Sequence, residues 1–254
     1  MAATKTGLSF LIFTFVLLLI LILLKGYNKV NTRSESMISP EQLTRIIFFG
    51  DSITREGVQP DGYITIIADS LKQQYPDRPI EVIGAGVDAN KVTDLQGRLK
   101  RDVLAKHPTH VVIYIGINDV WHFYGADQLT GTNREVFEQG LRDLIAQIQN
   151  AGIEVSLCTP SVIGEDPDSD ELVNQLLMDY ANISRTIAKT SGTHLCDLRS
   201  AFEQYLRNHN LDQSYEGILT RDGVHLNDEG NRFVADFLLE HLSTLPFATQ
   251  LNDE

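Results

Sequence analysis

Apolar residues follow three rhythms along this chain. The first is a single run, Leu8 to Leu24 (LSFLIFTFVLLLILILL), 17 residues without a charge. As a helix it would span roughly 26 Å at about 1.5 Å per residue, close to the thickness of a bilayer core. Lys25-Gly26-Tyr27-Asn28-Lys29 follows it, with no small-residue cleavage site and no cysteine to carry a lipid. The run therefore reads as an uncleaved single-pass anchor; a cleaved signal peptide and a buried core helix are the alternatives.

The second rhythm is short and β-rich: Arg45–Phe49, Ile80–Ile83, His110–Ile115, Glu154–Cys158 and His194–Cys196. The third is helical, over about Gly62–Tyr75, Val92–Lys106, Asn133–Ala151, Asp170–Thr190, Leu198–Asn208 and Asp228–Leu242. Val136, Leu141, Leu144, Ile145 and Ile148, for example, fall on one stripe near 3.6-residue spacing. Strands that alternate with helices imply an α/β domain whose parallel sheet is covered on both faces. The chain then divides into a tail (1–7), a transmembrane anchor (8–24), a polar linker (25–42), one folded domain (43–245) and a C-terminal tail (246–254). Lys25, Lys29 and Arg33 outnumber the cations before the anchor and mildly favour a cytoplasmic domain. So short a tail can lie on either side, which leaves the side of the membrane open.

Composition narrows the partners. Of 254 residues, 21 are Lys or Arg and 34 are Asp or Glu, and the first 25 hold only Lys5 and Lys25 as charges. An acidic body without a basic patch is repelled by phosphate backbones, so nucleic acid is not an expected partner. Cys158 and Cys196 are too few for a disulfide scaffold and too far apart for a metal motif, and read as small buried hydrophobes.

Ligands of such sheets bind at the carboxyl ends of the strands, so the loops there carry the candidate chemistry. Gly50-Asp51-Ser52-Ile53-Thr54 follows the first run and sets a serine on a tight turn. Taken alone it fits a turn hydrogen-bonder or a helix cap as well as a nucleophile. Gly84-Ala85-Gly86 follows the second run and Gly116-Ile117-Asn118-Asp119 the third. Glycine amides and an asparagine side chain are suitable donors to a developing oxyanion, although each motif alone also fits a plain turn. Asp222-Gly223-Val224-His225 lies before the last helical stretch, whose expected N-cap is Asn227. A serine needs a base, usually an imidazole whose tautomer a carboxylate fixes. Only His225 has an aspartate three residues earlier and a place after the last strand; His107, His110, His194, His209 and His241 read as packing or surface residues.

Together these blocks resemble the SGNH hydrolases, also called GDSL-type esterases and lipases. Gly50, Asp51, Ser52 and Ile53 match the first block, Gly86 the second, Gly116, Asn118 and Asp119 the third, and Asp222 and His225 the last, over about residues 45–242. The resemblance implies a three-layer α/β/α flavodoxin-like fold with a five-stranded parallel sheet, and ester hydrolysis without a metal or other cofactor. It implies Ser52 as nucleophile, His225 as general base and then acid, and Asp222 as the residue that orients it. The backbone N–H groups of Ser52 and Gly86 and the Asn118 amide would form the oxyanion hole, with Asp51 and Asp119 in support. One position departs from the family: Gly84 stands where an asparagine is frequent.

Val120-Trp121-His122-Phe123-Tyr124 would wall a pocket or simply cover the sheet edge. The acidic run Glu165–Glu171 lacks calcium-loop spacing and reads as a solvated stretch before a helix. Asn182-Ile183-Ser184 matches a glycosylation pattern inside a helical stretch. The expected function is a membrane-anchored serine esterase acting on a small ester, with a short acyl group such as O-acetyl on carbohydrate favoured. Lysophospholipase or acyltransferase chemistry on the same residues, or a non-catalytic binding module, are the alternatives.

Overall fold

A computed structural model describes residues 43–124, 131–166 and 171–246. The expected tail, anchor and linker (1–42) lie outside the described residues, as does all but the first residue of the C-terminal tail. Among the described residues no helix is long and apolar enough to cross a membrane.

Five strands, β1 (Thr44–Gly50), β2 (Ile80–Gly86), β3 (His110–Tyr114), β4 (Glu154–Cys158) and β5 (His194–Cys196), pair in parallel in the order β2-β1-β3-β4-β5. The chain direction reverses at β1, so the loops after β1 and β3 diverge at the switch point where such sheets bind ligands. Central strands β1 and β3 read as unbroken apolar runs because both of their faces are covered. Ile46 to Phe49 and Val111 to Ile113 are all fully buried. Each such side chain contributes roughly 1.5–3 kcal/mol relative to exposure.

The two helical layers follow from the alternation of β1. Phe48 meets Tyr63 of α2 (Tyr63–Gln74) edge-on, with ring centroids 5.7 Å apart. α8 (Asp228–Ser243) packs on α2, and Phe233 of α8 packs on Phe202 of α7 (Leu198–His209). Phe49 points to the other face, where Arg98 of α3 (Val92–Asp102) lies 4.5 Å from its ring centre. α5 (Arg134–Asn150) packs on α3, and α6 (Leu172–Ser191) packs on α5, in the same layer. The expected three-layer architecture and strand set are therefore present.

Two helices of five residues each escape periodicity analysis because they are too short for a stripe: α1 (Ser52–Glu56) and α4 (Ile117–Trp121). Both begin at carboxyl ends of central strands. Cys158 and Cys196 are buried as expected, and face each other across the β4–β5 register.

Candidate active site

Gly50 ends β1 where the chain must pass very close to its neighbours: a Cβ there would sit 2.3 Å from both Thr54 Oγ1 and the Tyr114 carbonyl. Asp51 then caps α1, its carboxylate accepting from the Ile53 amide at 3.0 Å. Ser52 is the first residue of α1, so its N–H is among the amides that a helix leaves without an internal acceptor. Burial pushes the Asp51 carboxyl up to about 7, and Asp119 nearby adds to the shift.

The Ser52 hydroxyl lies 2.9 Å from His225 Nε2, although 173 positions separate them in sequence. His225 Nδ1 lies 2.7 Å from Asp222 Oδ2. The other oxygen of Asp222 accepts from the backbone N–H of Val224 at 3.0 Å and of His225 at 2.7 Å. Burial raises the Asp222 carboxyl, but the His225 and Val224 donors outweigh it and hold the group below the usual carboxylate range. Gly223 makes this turn possible with φ +83°, and a Cβ there would strike the Tyr215 ring. Asn227 caps α8 as expected, accepting from the Gly230 amide at 2.9 Å.

Asn118 lies in the first turn of α4 with its side chain buried, and its amide donates to the Asn90 carbonyl at 3.1 Å. Asp119 turns inward, where its carboxylate accepts from the Val92 amide at the start of α3 and its carbonyl accepts from Thr132. It thus holds loops together, as expected of a supporting residue. Burial pushes its carboxyl up to about 6.

The second block is arranged differently from the expectation. Helix α1 lies directly over Gly86, with the Arg55 nitrogen 2.0 Å from where a Cβ would be, and Gly86 does not line the cleft beside Ser52. Ala89 does, at the third position of a turn closed by the Asn90 amide on the Val87 carbonyl at 3.3 Å. Its φ of +58° is one that glycine normally supplies. The departure at Gly84 has a steric reason: a side chain there would meet Val58 Cγ1 at 2.2 Å.

Sequence reasoning missed two buried charges that hold these loops. Arg98 donates to the carbonyls of Gly50 (2.6 Å) and Ala85 (2.9 Å) and to the Asn90 side chain (2.7 Å). One guanidinium thus ties the Ser52 turn to the β2 turn, and through Asn90 to Asn118. In sequence it hides in a basic stretch, RLKRD, that looks like a solvated helix face. Glu165, expected to be solvated with the rest of its acidic run, is fully buried. Its carboxylate accepts from the Ile218, Leu219 and Thr220 amides, just before Asp222. Residues 167–170 of that run lie outside the described residues.

A cleft of about 510 Å³ opens at Ser52, Asn118 and His225. Trp121 and His122 line it, the Trp121 ring 6.3 Å from that of His225. Of the aromatic stretch, then, part walls the cleft, while Val120 is buried in the core and Phe123 and Tyr124 are about half exposed. Arg55, Glu56 and Asp88 form a charged lip in which Arg55 pairs with Asp88, and Glu56 with Arg221 at 2.9 Å. Among the described residues no cluster of three or more His, Cys, Asp or Glu could hold a metal ion.

Residues 48–233 match the GDSL-like lipase/acylhydrolase family. An acetylxylan esterase of Geobacillus stearothermophilus is 28% identical over 211 residues, which cover 78% of this chain and 93% of that protein. The human isoamyl acetate-hydrolyzing esterase 1 homolog is 24% identical over 214 residues, covering 78% and 79%. Among solved structures, the acetyl xylan esterase AlAXEase superposes with a TM-score of 0.74 at 44% identity, covering 77% of this chain and 98% of that one. The Geobacillus acetylxylan esterase Axe2 gives 0.70 at 26% identity, covering 80% and 95%.

Proposed function

We propose, for a chain that belongs to the GDSL-like lipase/acylhydrolase (SGNH hydrolase) family and hydrolyses esters, that its substrate is an acetylated carbohydrate and its route an acyl-serine. The observation that carries the mechanism is the hydrogen-bonded series Ser52–His225–Asp222 at 2.9 and 2.7 Å. Ser52 Oγ attacks the ester carbonyl while His225 Nε2 takes its proton. Asp222 fixes the ring with its proton on Nδ1 and stabilises the imidazolium that forms. The oxyanion is received by the Ser52 N–H, the Asn118 amide and the Ala89 N–H, the last in the place assigned from sequence to Gly86. The imidazolium then protonates the departing alcohol. His225 next activates a water, which releases the acid and restores Ser52.

The acetyl-carbohydrate reading is supported by the acetylxylan esterases among the relatives. A lip of paired charges beside a tryptophan also suits a hydroxyl-rich alcohol better than an alkyl chain. Tethering through residues 8–24 belongs to the same proposal, and resistance of the protein to carbonate extraction from membranes would support it.

The test is hydrolysis by the full chain in mild detergent of acetylated xylo-oligosaccharide and of p-nitrophenyl esters from acetate to palmitate. Release of acetate from the oligosaccharide, with kcat/KM for the nitrophenyl esters falling as the chain lengthens, is the expected result. Preference for palmitate would overturn the substrate reading in favour of a lipid, and no turnover of any ester would overturn the mechanism.

A further inference from the structure

The segment Asn210–Asn227, which delivers Asp222 and His225, lacks regular structure beyond a single bridge between Thr220 and Leu226. Its geometry is nevertheless fixed from outside. Glu165 Oε2 accepts from the Ile218 N–H at 2.7 Å, and Oε1 accepts from those of Leu219 at 2.6 Å and Thr220 at 2.5 Å. Backbone contacts extend the clamp: the Gly164 amide donates to the Gly223 carbonyl, and the Glu165 amide to the Tyr215 carbonyl, both at 2.8 Å. Asn210 Nδ2 donates to the Glu165 carbonyl at 2.8 Å and also closes its own turn on Ser214.

We propose that Glu165 is a positioning residue for the reaction: by gathering three consecutive amides it sets where Asp222 and His225 stand relative to Ser52. The proposal rests on the Ser52–His225–Asp222 reading above. Charge-assisted bonds of this kind are roughly twice as strong as neutral ones, and three on one carboxylate leave the loop little freedom to slide. The third amide belongs to Thr220, two residues before Asp222, and the Thr220 hydroxyl accepts from Gly223 at 3.1 Å, inside the Asp222–His225 turn. Displacement at Glu165 therefore reaches the imidazole through one short stretch of backbone. A misplacement of about 1 Å at a reacting group can cost about 10²-fold in rate.

Glu165→Gln keeps the volume but puts an NH₂ group against backbone N–H donors, so at least one of the three bonds is lost. For the full chain acting on p-nitrophenyl acetate, the expected result is a kcat lower by about 30-fold or more with KM within about threefold. Fluorophosphonate labelling of Ser52, measured per folded molecule, should slow by a similar factor. In a His225→Ala background the same substitution should cost less than about threefold, because the base that it positions is already gone. A folded Glu165→Gln with kcat within threefold of wild type would overturn the proposal, as would an equal loss in both backgrounds, the mark of a merely structural role. If Glu165→Gln does not fold, Glu165→Asp carries the test: about tenfold lower kcat at constant KM supports the proposal, and unchanged kcat overturns it. Ser52→Ala and Asp222→Ala separate the two layers of argument. If either retains wild-type activity, the underlying reading fails and takes the proposal with it. If both lose activity while Glu165→Gln does not, only the proposal falls.

Discussion

At the carboxyl end of the sheet the Ser52 hydroxyl lies 2.9 Å from His225 Nε2. Towards the amino end the Ser156 hydroxyl lies 2.7 Å from His241 Nε2 and 3.0 Å from His110 Nε2. The two pairs are nearly the same in length and differ in everything around them. Ser52 starts a helix beside an open cleft, and the far nitrogen of its histidine faces a carboxylate. Ser156 is buried within strand β4 between two imidazoles. Burial and neighbouring histidines pull His110 down to about 3, and burial first and then His194 pull His241 down to about 4, so both rings stay neutral near pH 7. A serine–histidine hydrogen bond can thus serve packing alone; an open cleft and an orienting carboxylate are what set the Ser52 pair apart.

Substituting the two serines is the strongest way to break this comparison. Ser52→Ala should lower kcat by at least about 10³-fold with the circular dichroism spectrum unchanged. Ser156→Ala should stay within about twofold in kcat; a loss comparable to that of Ser52→Ala would mean that the amino-end pair takes part in the chemistry. Next in size is the oxyanion contact. Loss of one donor typically costs about 2.7–4 kcal/mol, so Asn118→Ala should turn over roughly two to three orders of magnitude more slowly. Turnover within fivefold of wild type would remove Asn118 from the assignment.

The two ends also differ in the sign of their pH dependence. Asp51, raised from 3.8 to about 7, keeps its proton in the folded state after the unfolded chain has lost it. Its contribution to stability is therefore full below about pH 4 and declines as pH rises to about 7. His110 and His241, lowered from 6.5 to about 3 and about 4, do the reverse. Their contribution is full above about pH 6.5 and is lost as pH falls through that range. Asp51→Asn should remove a fall in stability of on the order of 2–4 kcal/mol between about pH 4 and 7, and His241→Asn a rise of on the order of 1–3 kcal/mol between about pH 4 and 6.5. Denaturant unfolding at pH 4, 5.5 and 8 measures both, and the same slope change from both variants would contradict the assignment. The smallest effect concerns the Ala89 turn. Ala89→Gly relieves a left-handed alanine and should stabilise by roughly 0.5–1 kcal/mol, raising Tm by about 1–4 °C.

The sheet and the Asp222–His225 turn were legible because their signals are local. Ile46 to Phe49 is an apolar run that only a doubly covered strand explains, and an aspartate three residues before a histidine on a turn can reach its ring. The parts that escaped depend on the neighbourhood. Nothing in the letters DAN says that Ala89 adopts a positive φ, so Gly86, which matches the second block of the family resemblance, drew the assignment. Arg98 and Glu165 resemble surface residues because charge is usually solvated; only the fold shows that backbone carbonyls and amides surround them. Helices α1 and α4 are too short to show a period, yet they carry Ser52 and Asn118.

The separation of 173 positions between Ser52 and His225 bears on biosynthesis. Ser52 leaves the ribosome with the first strand of the domain, whereas His225 is among its last segments, just ahead of the closing helix. A nascent or prematurely terminated chain therefore carries a serine without its partner, and under the mechanism proposed above it cuts no ester until almost the whole domain has been made. By the same logic, a version divided in the stretch between β4 and α6 leaves each piece inert, and the return of hydrolysis reports that the two have found one another.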